Sequence, residues 1–188
     1  MVVNRKKFYT FAKIFRVIPL NEYIIPITGI KDGLHVFDYN VNKSFIQHFE
    51  YSDISDINAH IHVNFYKNNR LFNLEINVQG EVVSSCDRCL DDVNIPIDFT
   101  HSLIFKLDNN TDNVDEDIIF LPLDTTEIDL SIYIYEAIVF SIPMRRVHGV
   151  NEEGESLCNK EMIDRLNNYL EDKKVNDPRW DDLKKLLN

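Results

Sequence analysis

The stretch RLFNLEINVQGEV, residues 70–82, alternates strictly between apolar and polar side chains over most of its length. Phe72, Leu74 and Ile76 fall on one side of an extended chain, whereas Asn73 and Glu75 fall on the other. Successive side chains of a β-strand point to opposite faces, so this period of two predicts a strand with one buried and one hydrated side. Such strands are typical of antiparallel sheets.

The same alternation continues on both sides of this stretch. Upstream, HIHVNFY (residues 60–66) places its β-branched and aromatic residues on one face, and downstream VNIPIDFTHSLIF (residues 93–105) starts a comparable run. We therefore predict an antiparallel, β-rich N-terminal part, either a sheet or a partly open barrel, with strands over about residues 22–121.

The second half of the chain changes to a helical period. IDLSIYIYEAIVFSIP (residues 128–143) predicts a helix with Asp129 as N-cap, apolar nearly all round and therefore buried. CNKEMIDRLNNYL (158–170) and DPRWDDLKKLL (177–187) predict further helices. Helices over about residues 129–187 after a run of strands indicate an α+β fold.

Charge is unevenly distributed along the chain. The net charge is -11, yet residues 1–16 carry five basic side chains and no acidic one. We treat residues 1–19 as a basic N-terminal extension and residues 20–188 as a single domain. The acidic body disfavours an extended nucleic-acid-binding face and suits a basic partner protein.

Several common kinds of functional site are absent from the sequence. It contains only five glycines, without the GxGxxG or GxxxxGK[ST] patterns that cradle nucleotide phosphates, and it lacks GxSxG and HExxH. Glu136 is a lone acid in an apolar helix, which we interpret as structural, through capping or pairing with Arg145 or Arg146, rather than as a general base. We expect a protein that is not an enzyme and has no small-molecule substrate.

His60 and His62 lie two residues apart and share the hydrated face of a predicted strand. Two imidazoles on one face are able to ligate a metal, but a site needs at least a third ligand, and none is evident nearby in the sequence. We therefore interpret the pair as ordinary surface residues.

Two of the three cysteines form the sequence CDRC, residues 86–89, between two predicted strands. A hairpin knuckle fits this position better than a thioredoxin-type redox centre, which sits where a strand enters a helix. A knuckle supplies half of a tetrahedral zinc site, and His148 with Cys158 would complete a Cys3His set. The alternatives are free thiols packed as small hydrophobic residues or, less favoured, a disulfide between Cys86 and Cys89.

Four segments together resemble the YceD family, also called DUF177 or the large ribosomal RNA subunit accumulation protein family. They are IKDGLHVFDY, GEVVSSCDRCLDDV, the helix IDLSIYIYEAIVFSIPMRRVH, and the tail with SLCNKEM and DPRWDDLKKL, so the resemblance runs from about Leu20 to the C-terminus. The family's recurring positions are matched here by Cys86, Arg88 and Cys89 in the knuckle and by Pro143 and His148 after the helix. The resemblance implies a cytoplasmic protein needed for accumulation of large-subunit ribosomal RNA, without an established catalytic residue.

The sequence and the resemblance favour a non-enzymatic factor that binds large-subunit ribosomal RNA or a pre-ribosomal particle, a basic ribosomal protein, or both. Candidate contacts are Arg88, Arg145 and Arg146, each of which is otherwise an ordinary ion-pair residue. The alternatives are a metal-dependent RNA-processing enzyme, which would need an open metal site, and a thiol-based redox sensor. We expect no membrane segment, because the longest apolar run is interrupted and short.

Overall fold

The computed structural model describes residues 21–49, 53–109 and 117–171. A short 3-10 turn, Asn21–Tyr23, precedes the first strand. The strands are β1 (Ile24–Pro26), β2 (Gly33–Asn42), β3 (Ile54–Asn68), β4 (Leu71–Ser85), β5 (Asp92–Leu107), β6 (Ile118–Leu121) and β7 (Glu127–Asp129). The helices are α1 (Lys43–Ile46), α2 (Ser131–Ser141) and α3 (Lys160–Glu171).

Five strands form the main sheet in the order β2-β3-β4-β5-β6, and β1 pairs with β7 in a separate two-stranded sheet. The predicted α+β class, strands first and helices after, is confirmed. The pairs β2–β3 and β3–β4 are antiparallel, but β5 and β6 are parallel, so the sheet is mixed. Alternation along a strand predicts its two faces but carries no information on its direction relative to a neighbour, which is why the sequence did not predict the parallel pair.

Strands β3 and β4 form a long hairpin that supplies much of the core. They are joined by Asn69 and Arg70, and the pairing runs from Asn68↔Leu71 to Ile54↔Ser84. Asn69 has a φ of 54°, a left-handed conformation that asparagine tolerates better than most residues. The fully buried cross-strand pairs are Ile61↔Val78, Val63↔Ile76 and Phe65↔Leu74. Each such side chain contributes roughly 1.5–3 kcal/mol through removal of apolar surface from water.

Helix α2 differs in two respects from its prediction. Its N-cap is Leu130 and not the predicted Asp129, which ends β7 and whose Oδ1 accepts a hydrogen bond from the Ser131 N–H at 2.9 Å. The helix buries Ile134 and Ile138, but Phe140 is 61% exposed. The prediction that α2 is buried nearly all round is therefore wrong at its last turn, because an apolar run does not reveal where the covering elements end.

Helix α3 matches the helix predicted from residues 158–170. The helix predicted at residues 177–187 and the basic extension at residues 1–19 lie outside the described residues. Among the helices that the structure describes, none is long and apolar enough to cross a membrane.

The described residues form two compact units. The first comprises the described residues up to Ser85 and those within Asn94–Arg146, and it contains α2 and the paired strands except for the first two residues of β5. The second comprises Cys86–Val93 together with the residues from Val147 onward and contains α3. All four residues predicted as zinc ligands belong to the second unit.

Candidate metal centre

The chain reverses direction in a tight knuckle between β4 and β5. Strand β4 ends at Ser85 and β5 begins at Asp92, as predicted for the CDRC segment. The backbone N–H of Cys86 donates to the carbonyl of Asp91 at 2.8 Å, and the N–H of Leu90 donates to the carbonyl of Cys86 at 2.9 Å. These two bonds close the turn around the first cysteine.

The knuckle also directs backbone N–H groups toward sulfur. The N–H of Arg88 lies 3.5 Å from Sγ of Cys86. Leu90, which follows the second cysteine, has a φ of 67°. A left-handed backbone costs a non-glycine residue roughly 1–2 kcal/mol, so the turn is held in this shape at the expense of local strain.

The two remaining predicted ligands come from the later part of the chain. Sγ of Cys158 lies 3.9 Å from Sγ of Cys86, and Nδ1 of His148 lies 3.4 Å from Sγ of Cys89. The four ligand atoms all lie within 4.8 Å of one another. The three thiols are buried and none forms a disulfide.

Two of these separations, Cys86–Cys158 and Cys89–His148, are close to those around a tetrahedral zinc ion. With Zn–S and Zn–N bonds of about 2.3 and 2.05 Å, tetrahedral geometry places two sulfurs about 3.8 Å apart, and a sulfur and a nitrogen about 3.6 Å apart. The observed distances are 3.9 Å and 3.4 Å. Cys86, Cys89, His148 and Cys158 would therefore hold the ion as a Cys3His set, the composition of structural zinc sites, and the ion would cross-link the knuckle to the later segment.

A second layer of hydrogen bonds orients the ligands. Nε2 of His148 lies 3.0 Å from the carbonyl oxygen of Asp92. This contact fixes the proton on Nε2 and leaves Nδ1, the atom nearest Cys89, with a free lone pair for a metal. The Cys158 N–H donates to Oγ of Ser156 at 3.2 Å, which fixes the segment that carries the third thiol.

The surroundings of Cys86 favour its thiolate. Burial acts to raise the pKa of the Cys86 thiol, but N–H groups of Cys89, Arg88 and His148 outweigh it and lower the pKa to about 6. Burial raises the pKa of the Cys89 thiol. Hydrogen bonding to Ser156 lowers the pKa of the Cys158 thiol. Since the thiolate is the form that ligates metal, Cys86 supplies it near neutral pH even before an ion arrives.

The described part of the second unit has little other core. Of its described residues, those with buried side chains are Cys86, Cys89, Cys158 and Val93. Small units that cannot bury enough apolar surface commonly depend on a metal or a disulfide for stability. In the described part of this unit, the three thiols therefore occupy most of the buried core.

The three candidate arginines lie in different settings. Arg88 is exposed at the tip of the knuckle, and Arg145 is exposed after α2. Arg146 is partly buried within the first unit, where its Nη1 donates to Oγ of Ser84 at 3.0 Å and lies 3.5 Å from Oδ2 of Asp53. Arg146 therefore has the ordinary ion-pair role that the sequence left open for each arginine, with Asp53 and Ser84 as its partners.

One residue near the histidine pair was missed in the sequence. Asp38, on β2, lies directly opposite His62 on β3, and its Oδ1 is 2.8 Å from Nδ1 of His62 and 3.2 Å from Nε2 of His60. It is separated from the pair by more than twenty residues, and only the β2–β3 register reveals its position.

Comparison with known proteins places the second half of the chain in a family. Residues 74–187, more than half of the 188 residues, match the family described as large ribosomal RNA subunit accumulation protein YceD. The matched range includes all four residues of the thiol and imidazole cluster. It begins at Leu74, so the IKDGLHVFDY segment lies outside it. No curated protein and no solved structure matches the chain.

Proposed function

Because this chain belongs to the YceD family of large ribosomal RNA subunit accumulation proteins, we propose that it is a non-enzymatic assembly factor for the large ribosomal subunit. It would support accumulation of the RNA by binding a precursor particle through a basic ribosomal protein, through the RNA, or through both. The family match over residues 74–187 is the observation that carries this proposal.

Negative charge favours a basic protein as the main partner. The net charge is -11, and in the second unit Glu152, Glu153 and Glu155 are all exposed within four residues. Hydrogen bonds from Glu153 and Glu155 N–H groups to Oδ1 of Asn151 hold this turn in one conformation. Complementary charge raises the rate of association with a basic protein and disfavours acidic competitors.

Among the three candidate arginines, few are available for direct contact with RNA. Arg88 and Arg145 are exposed, whereas Arg146 is engaged with Ser84. Two arginines can position an RNA strand through its phosphates but supply little affinity against the repulsion of an acidic body. We therefore expect contacts with RNA to contribute less to binding than contacts with a basic protein.

The alternative functions make different demands on the thiol cluster. A metal-dependent RNA-processing enzyme needs an open coordination position for water, whereas Cys86, Cys89, His148 and Cys158 supply four ligand atoms, the number that fills a tetrahedral shell. A thiol sensor needs an accessible thiolate of low pKa. The lowered pKa of Cys86 favours a sensor, but the burial of all three thiols counts against it.

In-cell crosslinking of the full chain, followed by identification of RNA and protein in large-subunit precursor fractions, tests the proposal. Replacement of Glu152, Glu153 and Glu155 by glutamine should reduce crosslinks to a basic ribosomal protein. Arg145→Glu should reduce RNA crosslinks only, and Asp124→Asn, an exposed acid in the first unit, should change neither. Absence of the wild-type protein from all large-subunit precursor fractions would overturn the proposed function.

A further inference from the structure

The outer face of the main sheet carries a cluster of three potential ligands outside the thiol site. Asp38 on β2 and His62 on β3 are directly paired across the strands, and His60 lies two residues before His62 on the same face. Both imidazoles contact one carboxylate oxygen, Asp38 Oδ1, His62 through Nδ1 at 2.8 Å and His60 through Nε2 at 3.2 Å. Two imidazoles and a carboxylate form a ligand set that suits divalent transition metals.

The two distances from Asp38 Oδ1 are close to those between neighbouring ligands of one ion. Metal–ligand bonds of about 2.1 Å place adjacent ligand atoms about 3.0 Å apart in an octahedral shell and about 3.4 Å apart in a tetrahedral one. The measured separations from Asp38 Oδ1 are 2.8 Å and 3.2 Å. The three side chains are between 40% and 55% exposed, so small rotations about their side-chain torsions are available to all of them.

Both ring nitrogens of His60 are engaged by neighbouring side chains. Nδ1 of His60 lies 3.2 Å from Oδ1 of Asn40, and Nε2 lies 3.2 Å from Oδ1 of Asp38, so both ring nitrogens face oxygen acceptors. A neutral imidazole carries one N–H and satisfies only one of them. With that proton on Nδ1, as metal-bound histidines commonly arrange it, Nε2 offers a lone pair in the direction of the carboxylate. In this tautomer a cation between Nε2 and Oδ1 takes the place of the proton that the two atoms otherwise share.

The electrostatic surroundings also favour a cation. At the outward positions of β2, β3 and β4 the charged residues are Asp38, Asp56, Glu75 and Glu81, and these positions include no lysine or arginine. Glu75 lies on the same face as His62 and close to it, because the pair Asn64↔Glu75 is the next same-face pair after His62↔Asn77. This part of the sheet therefore has a negative potential without a basic side chain of its own to balance it.

We propose that Asp38, His60 and His62 bind a divalent transition-metal ion, of the zinc or nickel class, through Oδ1, Nε2 and Nδ1 respectively. On binding, the proton of His62 Nδ1 moves to Nε2 of the same ring. Water occupies the remaining coordination positions, which face solvent. Asn40 is a positioning residue, because its amide oxygen orients the His60 ring. This site lies within the first unit and does not depend on the proposed ribosomal function.

The test is calorimetric titration of Zn²⁺ into the full chain, without an affinity tag and already holding one equivalent of zinc. A second equivalent should bind, and His62→Gln or Asp38→Asn should weaken it by about tenfold or more. His48→Gln is the matched control, since the His48 ring lies against the Ser44 carbonyl on another element. Ni²⁺, through its paramagnetism, should broaden the amide NMR signals of residues 38, 60 and 62 first.

Two results would refute the site. One is the absence of any second equivalent in the wild-type chain. The other is a second equivalent that His62→Gln and Asp38→Asn leave unchanged, which would place the ion elsewhere. Because the three side chains are exposed, the variants should unfold at the same denaturant concentration as the wild type, so a loss of binding is attributable to the ligands.

Discussion

Sγ of Cys86 lies 3.9 Å from Sγ of Cys158, although 72 positions separate the two residues along the chain. This contact and the one between Cys89 and His148 bring the knuckle and the segment before α3 together at a single point. Since the described residues of the second unit include few other buried side chains, we expect this cluster to contribute much of that unit's stability. The first two predictions concern it.

The chain should bind one zinc ion at the thiol cluster. His148→Ala removes one of four ligands and should lower zinc affinity by at least about tenfold, because three ligands no longer close the shell. Zinc released to a colorimetric chelator from the isolated protein measures this. His101→Ala, a half-buried histidine in the first unit, should retain the thiol-site zinc, and equal release from both variants would contradict the assignment.

Metal removal should loosen the second unit and leave the main sheet intact. The buried side chains described in that unit are three thiols and Val93, so without an ion little apolar burial remains to hold it. Hydrogen exchange after treatment with a chelator should speed up for residues 147–171 and stay unchanged for β3 and β4. Protection that persists in residues 147–171 without metal would show that the unit folds on its own apolar contacts.

Gly80→Ala should destabilise the chain by at least about 2 kcal/mol. Gly80 is opposite Ala59 on β3, and an added Cβ would overlap the carbonyl oxygen of Asn58 and the backbone of Ala59. Gly29→Ala is the matched control, because nothing lies within 4 Å of its added Cβ, and it should change stability by less than about 0.5 kcal/mol. Urea unfolding midpoints of both variants check the difference.

Glu136 should make folding stability fall as pH rises. Burial raises the pKa of this carboxyl in the folded state, so between the unfolded and folded pKa values the folded chain holds a proton that the unfolded chain has lost. Its contribution is therefore complete below the unfolded pKa and is lost as pH rises through the folded one. Glu136→Gln should be more stable than wild type at pH 7, by less than about 1 kcal/mol because the group is half exposed.

Denaturation at pH 4 and pH 7 measures the effect of Glu136. The advantage of the glutamine variant should shrink at pH 4, where the wild-type carboxyl is also protonated. Asp124→Asn, which alters an exposed acid in a turn, should show no comparable change between the two pH values. A constant advantage at both would mean that glutamine acts through packing and not through charge.

The alternation of apolar and polar residues was enough to predict the strands, but not their register or direction in the sheet. The alternation of Phe72, Leu74 and Ile76 predicted a buried face of β4, since it depends only on neighbours in sequence. The parallel pairing of β5 with β6 and the position of Asp38 opposite His62 depend on register and direction, which no local pattern records.

The four residues of the thiol and imidazole cluster could be predicted from the sequence for a different reason. With three cysteines in the chain, a Cys-x-x-Cys knuckle left Cys158 as the remaining sulfur, and His148 was the histidine that followed α2. The sequence could name these four residues, but their proximity depends on the path of the chain between Cys89 and His148. The contact between Arg146 and Ser84, in contrast, could not be predicted, because the two residues lie in separate segments that share no sequence pattern.

The two-residue link between β3 and β4 has a consequence for the order of folding. Asn68 and Leu71 are almost adjacent in sequence, so closing that end of the hairpin costs little chain entropy, and the pairs toward Ile54↔Ser84 can then form in succession. The residues between Ile24 and Asp129 make up most of the first unit. Pairing these two residues therefore costs a large loss of chain entropy until the intervening strands have formed. We therefore expect the hairpin around Asn69 to nucleate folding and the small β1–β7 sheet to form last. In mutational folding kinetics, substitutions in the hairpin should give high φ-values and substitutions in the β1–β7 sheet low ones.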